Sequence, residues 1–123
     1  MLGEKILTLN PNDTVWITNR AKIDKPNFIR LLNQAPGNIL LKMEFSAEGK
    51  YFYLTNSDDT YLQFKRSDSA KIDHLSKNRT RLFVKDEVYE IYLNYADAST
   101  KEARNQVLVI EFKDSMSVNV YLR

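Results

Sequence analysis

Apolar and polar positions alternate with a period of two along most of this chain. The alternation is clearest in EVYEIYLNY (87–95), where Tyr89, Ile91, Leu93 and Tyr95 share one side and Glu90, Tyr92 and Asn94 the other. KILTL (5–9) and TVWIT (14–18) read as short strands separated by the turn chemistry of NPND. NILLKMEFS and KYFYLTN flank an AEG connection at Gly49, which predicts a hairpin. DTYLQFKR places Leu62 and Phe64 opposite Tyr61 and Gln63. RTRLFVK (79–85) puts Leu82 and Val84 on one side and Arg81, Phe83 and Lys85 on the other. The closing segments QVLVIEFK and SVNVYLR predict a last hairpin in which Leu108, Ile110 and Phe112 meet Val118, Val120 and Leu122. Two stretches break the pattern. KPNFIRLLNQ (25–34) has Phe28, Leu31 and Leu32 at helical spacing behind Pro26, with Asp24 as a cap. DASTKEARNQ (97–106) has Asp97 or Ser99 as a cap, with Glu102 close behind. SDSAKIDHLSKN (67–78) lacks strand periodicity and is expected to be a loop or one short helix.

About eight strands and two short helices in 123 residues predict a mainly β (α+β) fold. The expected architecture is one domain, 1–123, forming a small, mixed, mostly antiparallel β-barrel. Composition sharpens this picture little. Hydrophobic residues make 43% of the chain and charged residues 28%, the balance of a folded globular domain. The 7 Tyr, 6 Phe and 1 Trp favour pleated surfaces. There is no cysteine, so disulfides, thiolate metal sites and cysteine nucleophiles are excluded. MLGEKILTLN carries an acid at Glu4 and no apolar run, which reads as a strand rather than a leader peptide. A cytoplasmic protein with no membrane association is expected.

Catalysis finds little to work with. His74 is the only histidine, so neither a multi-histidine metal site nor a triad with a histidine to spare can be assembled. It reads as a partly exposed loop residue, with a phosphate or stacking contact as the minority role. The carboxylate pairs Asp58–Asp59 and Asp86–Glu87 fall where strands should turn, and are expected to be solvated turn residues. Neither G-x-G-x-x-G nor G-x-x-x-x-G-K-[ST] occurs. No enzyme activity, cofactor or metal is expected.

Charge is where the sequence becomes specific. The net charge is only +2, yet residues 65–85 hold seven basic groups (Lys65, Arg66, Lys71, Lys77, Arg79, Arg81, Lys85) against Asp68 and Asp73. Residues 20–30 hold Arg20, Lys22, Lys25 and Arg30 against Asp24, while the remainder has 7 basic and 13 acidic residues. Segregated charge suits a polyanion. Within KNRTRLFVK (77–85), Lys77, Arg79, Arg81 and Lys85 share one strand parity. Arg79 and Arg81 would stand ~7 Å apart, close to the ~6–7 Å between successive phosphates of an extended nucleic-acid strand. Phe83 has the same parity and would stack a base, with Tyr92 extending the platform. Lys65, Arg66 and Lys71 would widen the positive surface. The expectation is an RNA-binding regulator gripping phosphates through this strand. Its rival is a charged edge strand with Phe83 buried and the arginines paired to Glu87 and Glu90. A second rival function is a protein-interaction module, an anti-activator or assembly factor using a sheet edge or a Tyr/Phe patch. The 20–30 cluster favours binding if it lies near the first. Trp16, Phe52, Tyr53 and Tyr61 are assigned to the core.

Over its full length the chain resembles the small PrgU-like proteins of enterococcal pheromone-responsive conjugative plasmids, through segments such as VWITNRAKIDKPNFIRLLNQAPGNILLKMEF and KNRTRLFVKDEVYEIYLNY. The resemblance implies a PUA-like β-barrel, a fold class used to bind RNA. It also implies a regulatory role limiting the production of conjugation or adhesion proteins. It assigns no individual residue.

Overall fold

In a computed structural model, residues 3–31, 38–58, 62–93, 107–112 and 116–123 are described, and they form eleven strands and no helix. The strands build two facing sheets. The first has the order β1-β11-β10-β9-β6-β7, from β1 (Glu4–Leu9), β6 (Leu62–Arg66), β7 (Asp73–Leu75), β9 (Glu87–Tyr92), β10 (Val107–Phe112) and β11 (Val118–Leu122). All its pairings are antiparallel. The second has the order β3-β2-β4-β5-β8, from β2 (Thr14–Thr18), β3 (Phe28–Arg30), β4 (Leu40–Phe45), β5 (Tyr51–Asn56) and β8 (Arg79–Val84). Only its β2–β3 pairing is parallel.

Period-two alternation explains both sheets. Leu41, Met43 and Phe45 of β4 and Phe52 and Leu54 of β5 turn inward to meet Phe64, Ile91, Leu108, Ile110 and Phe112 of the other sheet in one core. Phe45 and Phe112 meet edge to face across the layers, 5.3 Å between centroids. The predicted hairpins at β4–β5 and β10–β11 are present, the latter pairing Leu108 with Leu122 and Ile110 with Val120. Gly49 takes a φ of 69° in the first turn, as a glycine can without cost.

The sheets do not close into a barrel, which corrects the expected architecture. Closure would require an edge of one sheet to pair with an edge of the other; here the chain crosses between layers at tight corners instead. Lys85–Asp86 carries β8 into β9 on the opposite sheet, with Asp86 at φ 72° and its N–H donating to the Phe112 carbonyl. Ser76–Asn78 joins β7 to β8 in the same way, with Asn78 at φ 62° and its N–H bonded to the Asn56 carbonyl at 2.6 Å. Asparagine and aspartate tolerate this left-handed geometry better than other side chains.

The helix expected from KPNFIRLLNQ is a second correction. Phe28–Arg30 is a strand lying parallel to β2, with the Leu31 N–H donating to the Thr18 carbonyl at 2.7 Å. Residues 28–31 have alternating environments: Ile29 and Leu31 pack on the core while Phe28 and Arg30 face out. The open edge of β2 offers backbone partners that a short helix after Pro26 could not match. The other expected helix, 97–106, lies outside the described residues, as does Tyr61. Residues 67–78 contain β7 rather than a helix, so His74 sits on a strand.

Glu90 ties the outer face of the first sheet together. Burial pushes its carboxyl pKa up, but hydrogen bonds from Arg123 and Tyr92 (both 3.0 Å) and the charge of Lys65 outweigh that and hold it below its ordinary value of 4.5. A depressed carboxylate contributes stability that is complete above its unfolded pKa and is lost as pH falls through the folded one. Below about pH 4.5, Glu90→Gln is therefore expected to flatten the loss of stability with acid. Urea midpoints from pH 3 to 7 check this, and parallel curves for both proteins would count against it.

Candidate nucleic-acid interface

The residues singled out by their charge are dispersed by the fold. Lys65 is committed: its Nζ donates to the Ser69 carbonyl at 3.2 Å and stands 3.8 Å from Glu90. Arg66 bonds Asp68 at 2.5 Å and Glu87 at 3.5 Å, and both acids raise its pKa. Lys77 and Lys85 sit exposed in the two corners. Arg79 is exposed, and its side chain makes no hydrogen bond or ion pair among the described residues. Arg81 lies over the Phe64 ring (5.5 Å) and 3.9 Å from Asp73, with Lys71 on the acid's other side at 3.9 Å.

Phe83 cannot stack a base. It is wholly buried, parallel to Tyr89 at 3.9 Å and to Phe52 at 5.8 Å, while Leu82 is 44% exposed. The shared parity of Arg79, Arg81 and Phe83 is real, but their side of β8 is the inner one. Moving along β8, that row passes from solvent at Arg79, over the rim at Arg81, into the core at Phe83. Tyr92 is also buried, on β9 of the other sheet, and donates to Glu90. Arg66 and Lys65, rather than the β8 arginines, make the cross-strand pairs with Glu87 and Glu90. Asp58 is likewise no solvated turn residue: it is buried and clasped by Arg20 at 2.5 Å.

The two basic clusters lie mostly apart, although Arg20 reaches to Asp58, just past the end of β5 where Asn56 pairs with Arg79. The 20–30 segment connects β2 to β3, at the opposite edge of the five-stranded sheet from β8. Four inter-strand steps separate those edges by ~19 Å.

Between them lies a surface that charge counting missed. Val15, Ile17, Leu41 and Met43 face inward, so Trp16 and Lys42 must face out. One outward row crosses all five strands as Phe28, Trp16, Lys42, Thr55 and Thr80. The next holds Thr14, Glu44, Tyr53 and Leu82, and Tyr51 and Val84 follow beyond it. Trp16, assigned to the core from sequence, is only half-buried, and Phe28 is 40% exposed. Tyr53 is also on this outer face, whereas Phe52 is in the core as expected.

Cations overlie these rings. The ammonium groups of Lys25 and Lys42 lie 5.1 and 5.7 Å from the Trp16 centroid, and the Arg30 guanidinium lies 5.7 Å from that of Phe28. Arg30 also anchors the connecting loop by donating to the carbonyls of Arg20 (3.1 Å) and Ala21 (2.6 Å). A cleft of about 390 Å³, lined by Arg20, Lys22, Ile23, Asp24, Lys25 and Leu40, opens beside the platform. Lys42 also pairs with Glu44 at 3.5 Å, so with Arg20 and Arg30 committed as well, Lys22 and Lys25 are the exposed cations of this face without an ion pair among the described residues. Strand parity was the signal that could have found it: Trp16 falls out of step with Val15 and Ile17. Among the described residues, no group of three His, Asp or Glu could hold a metal ion, and no helix is long and apolar enough to cross a membrane.

Comparison with protein-family models, curated proteins and solved structures gives no match to this chain.

Proposed function

We propose that this protein is a small non-catalytic regulator that binds single-stranded RNA on the outer face of its five-stranded sheet. The observation that carries the reading is the row Phe28–Trp16–Lys42, in which partly exposed aromatic rings and ammonium groups lying over them occupy adjacent strands. Unpaired bases stack on such rings, and lysines beside them neutralise the phosphates that follow. A base arriving at Trp16 displaces Lys25 from the ring, and the flexible four-carbon stem carries the charge to the backbone. The face spans ~19 Å, room for about three nucleotides at ~6–7 Å each. The PrgU-like resemblance points the same way and supplies the regulatory half of the proposal.

Fluorescence anisotropy of labelled single-stranded RNA, hairpin RNA and duplex DNA across a salt series tests it. Trp16→Ala is expected to weaken single-strand binding about tenfold or more, since stacking contributes ~1–3 kcal/mol per base. Lys25→Ala with Lys42→Ala should flatten the salt dependence by roughly 0.7 units per lost phosphate contact. Equal affinity for duplex DNA, or an unchanged Trp16→Ala variant, would reject the platform.

One feature favours a protein partner instead. Tyr51, Leu82 and Val84, each more than 40% exposed, form an apolar corner of the same face with no cation of the described residues over it. A complex that survives nuclease and high salt but is lost in Leu82→Asp would favour that reading.

A further inference from the structure

At the seam where β8 passes over the first sheet, a cleft of about 180 Å³ is lined by Arg66, Ser69, Lys71, Asp73, Arg81 and Tyr89. We propose that this cleft is a binding site for a phosphate group, separate from the aromatic platform. Four elements deliver donors to one small space. Among the described residues, most of those donors have no acceptor. Arg81 lies over the Phe64 ring, and among the described residues its only ion-pair partner is Asp73 at 3.9 Å, too long for a hydrogen bond. The Lys71 ammonium stands at the same 3.9 Å distance from the other oxygen of that carboxylate. Ser69 Oγ accepts the Lys71 backbone N–H at 3.1 Å, which leaves its own proton to give. Among the described residues the Tyr89 hydroxyl has no hydrogen-bond partner, and burial together with Glu87 raises its pKa, keeping its proton in place at neutral pH.

The loop that supplies Ser69 and Lys71 is fixed before any ligand arrives. Its Ser69 N–H bonds the Arg66 carbonyl at 3.0 Å, and Lys65 reaches the carbonyls of Ser67 and Ser69. Arg66, paired with Asp68 and Glu87, forms a wall rather than a grip. Asp73 is the counterion that an incoming anion must replace: it holds Lys71 and Arg81 at the rim without hydrogen-bonding either. The size of the cleft limits the ligand. At ~30 Å³ per liquid water it holds about six waters, enough for one phosphate or pyrophosphate, and it is smaller than the ~300 Å³ of pockets that enclose drug-sized ligands. The phosphate therefore belongs either to an RNA backbone crossing the seam or to a small phosphorylated molecule whose remainder stays outside.

Pyrophosphate titrated into the full chain at constant ionic strength, against sodium chloride, is followed by amide NMR shifts. Saturable shifts at Ser69, Lys71, Arg81 and Tyr89 are expected. Lys71→Ala with Arg81→Ala should weaken binding at least tenfold, whereas Asp73→Asn should tighten it about three- to tenfold by removing the competing charge. The spectra themselves report whether each variant is folded. A gain of affinity in Asp73→Asn is a result that a purely structural role for these residues does not produce. No saturable shift, or equal affinity in wild type and the double variant, overturns the site. Competition against labelled RNA then names the source. Displacement assigns the phosphate to RNA, and simultaneous binding assigns it to a small molecule; either supports the site.

Discussion

Replacing Phe83 with alanine is expected to cost about 4 kcal/mol of folding stability, within the ~3–5 kcal/mol typical of a buried phenylalanine. The size follows from where β8 lies. Phe83 stacks on Tyr89 of one sheet and Phe52 of the other, and it also contacts Phe64 at 5.9 Å. It therefore joins the two layers at the seam where no backbone pairing connects them. Truncation leaves a cavity bordered by three rings held on different strands, and none of them can collapse into it without moving its sheet. Domains of this kind retain only about 5–15 kcal/mol in total, so the variant should be close to unfolding at moderate temperature. The neighbouring substitution is the control. Leu82→Ala, on the outward side of the same strand, should change stability by less than about 1 kcal/mol. Urea midpoints of the two variants measure the difference directly, and equal losses would mean that β8 presents its other side to the core.

Arg20→Ala is expected to cost about 2–3 kcal/mol, less than the full penalty for breaking a deeply buried pair because one partner is near water. Asp58 has only 5% of its side chain exposed, while Arg20 has 40%. The arginine brings two N–H groups, from Nε and Nη2, to the single oxygen Oδ2 at 2.9 and 2.5 Å. Its removal takes away the guanidinium that neutralises this nearly buried carboxylate. The loss is one of compensation rather than of attraction, so removing both partners should be milder than the two single effects added together. A double-mutant cycle with Asp58→Ala should give a coupling of about 1–2 kcal/mol. Additive effects would show that the pair is solvated. Arg20 also begins the loop that supplies Lys22 and Lys25, so this variant should weaken RNA binding beyond the loss of one charge.

Strand parity was readable wherever an apolar row was long enough to be unambiguous. EVYEIYLNY declared Ile91 and Leu93 as core residues, and both are buried. The last hairpin declared its register through Leu108, Ile110 and Phe112. In KNRTRLFVK the two sides of the strand are nearly balanced, with Leu82 and Val84 against a single Phe83. The eye follows the larger apolar count and turns the strand over. One aromatic enclosed by rings from both sheets outweighs two aliphatic side chains, because it removes more surface from water and stacks as it does so. Trp16 was misassigned for the converse reason. A large aromatic was given to the core by its size, although Val15 and Ile17 on either side had already taken the inward positions.

By itself, the sequence determined that this chain is mainly β, which segments form most of its strands, and how most of those divide into inner and outer rows. These are local properties, set by the geometry of a pleated strand and the cost of leaving apolar side chains in water. Only the tertiary structure decided which strands became neighbours. It placed β8 and β9 on opposite sheets, drew Phe28–Arg30 out of a helical pattern onto the edge of β2, and divided the 65–85 basic cluster between β6 of one sheet and β8 of the other. Pairing depends on partners distant in sequence, and a backbone edge that needs hydrogen bonds accepts whichever segment the fold brings within reach.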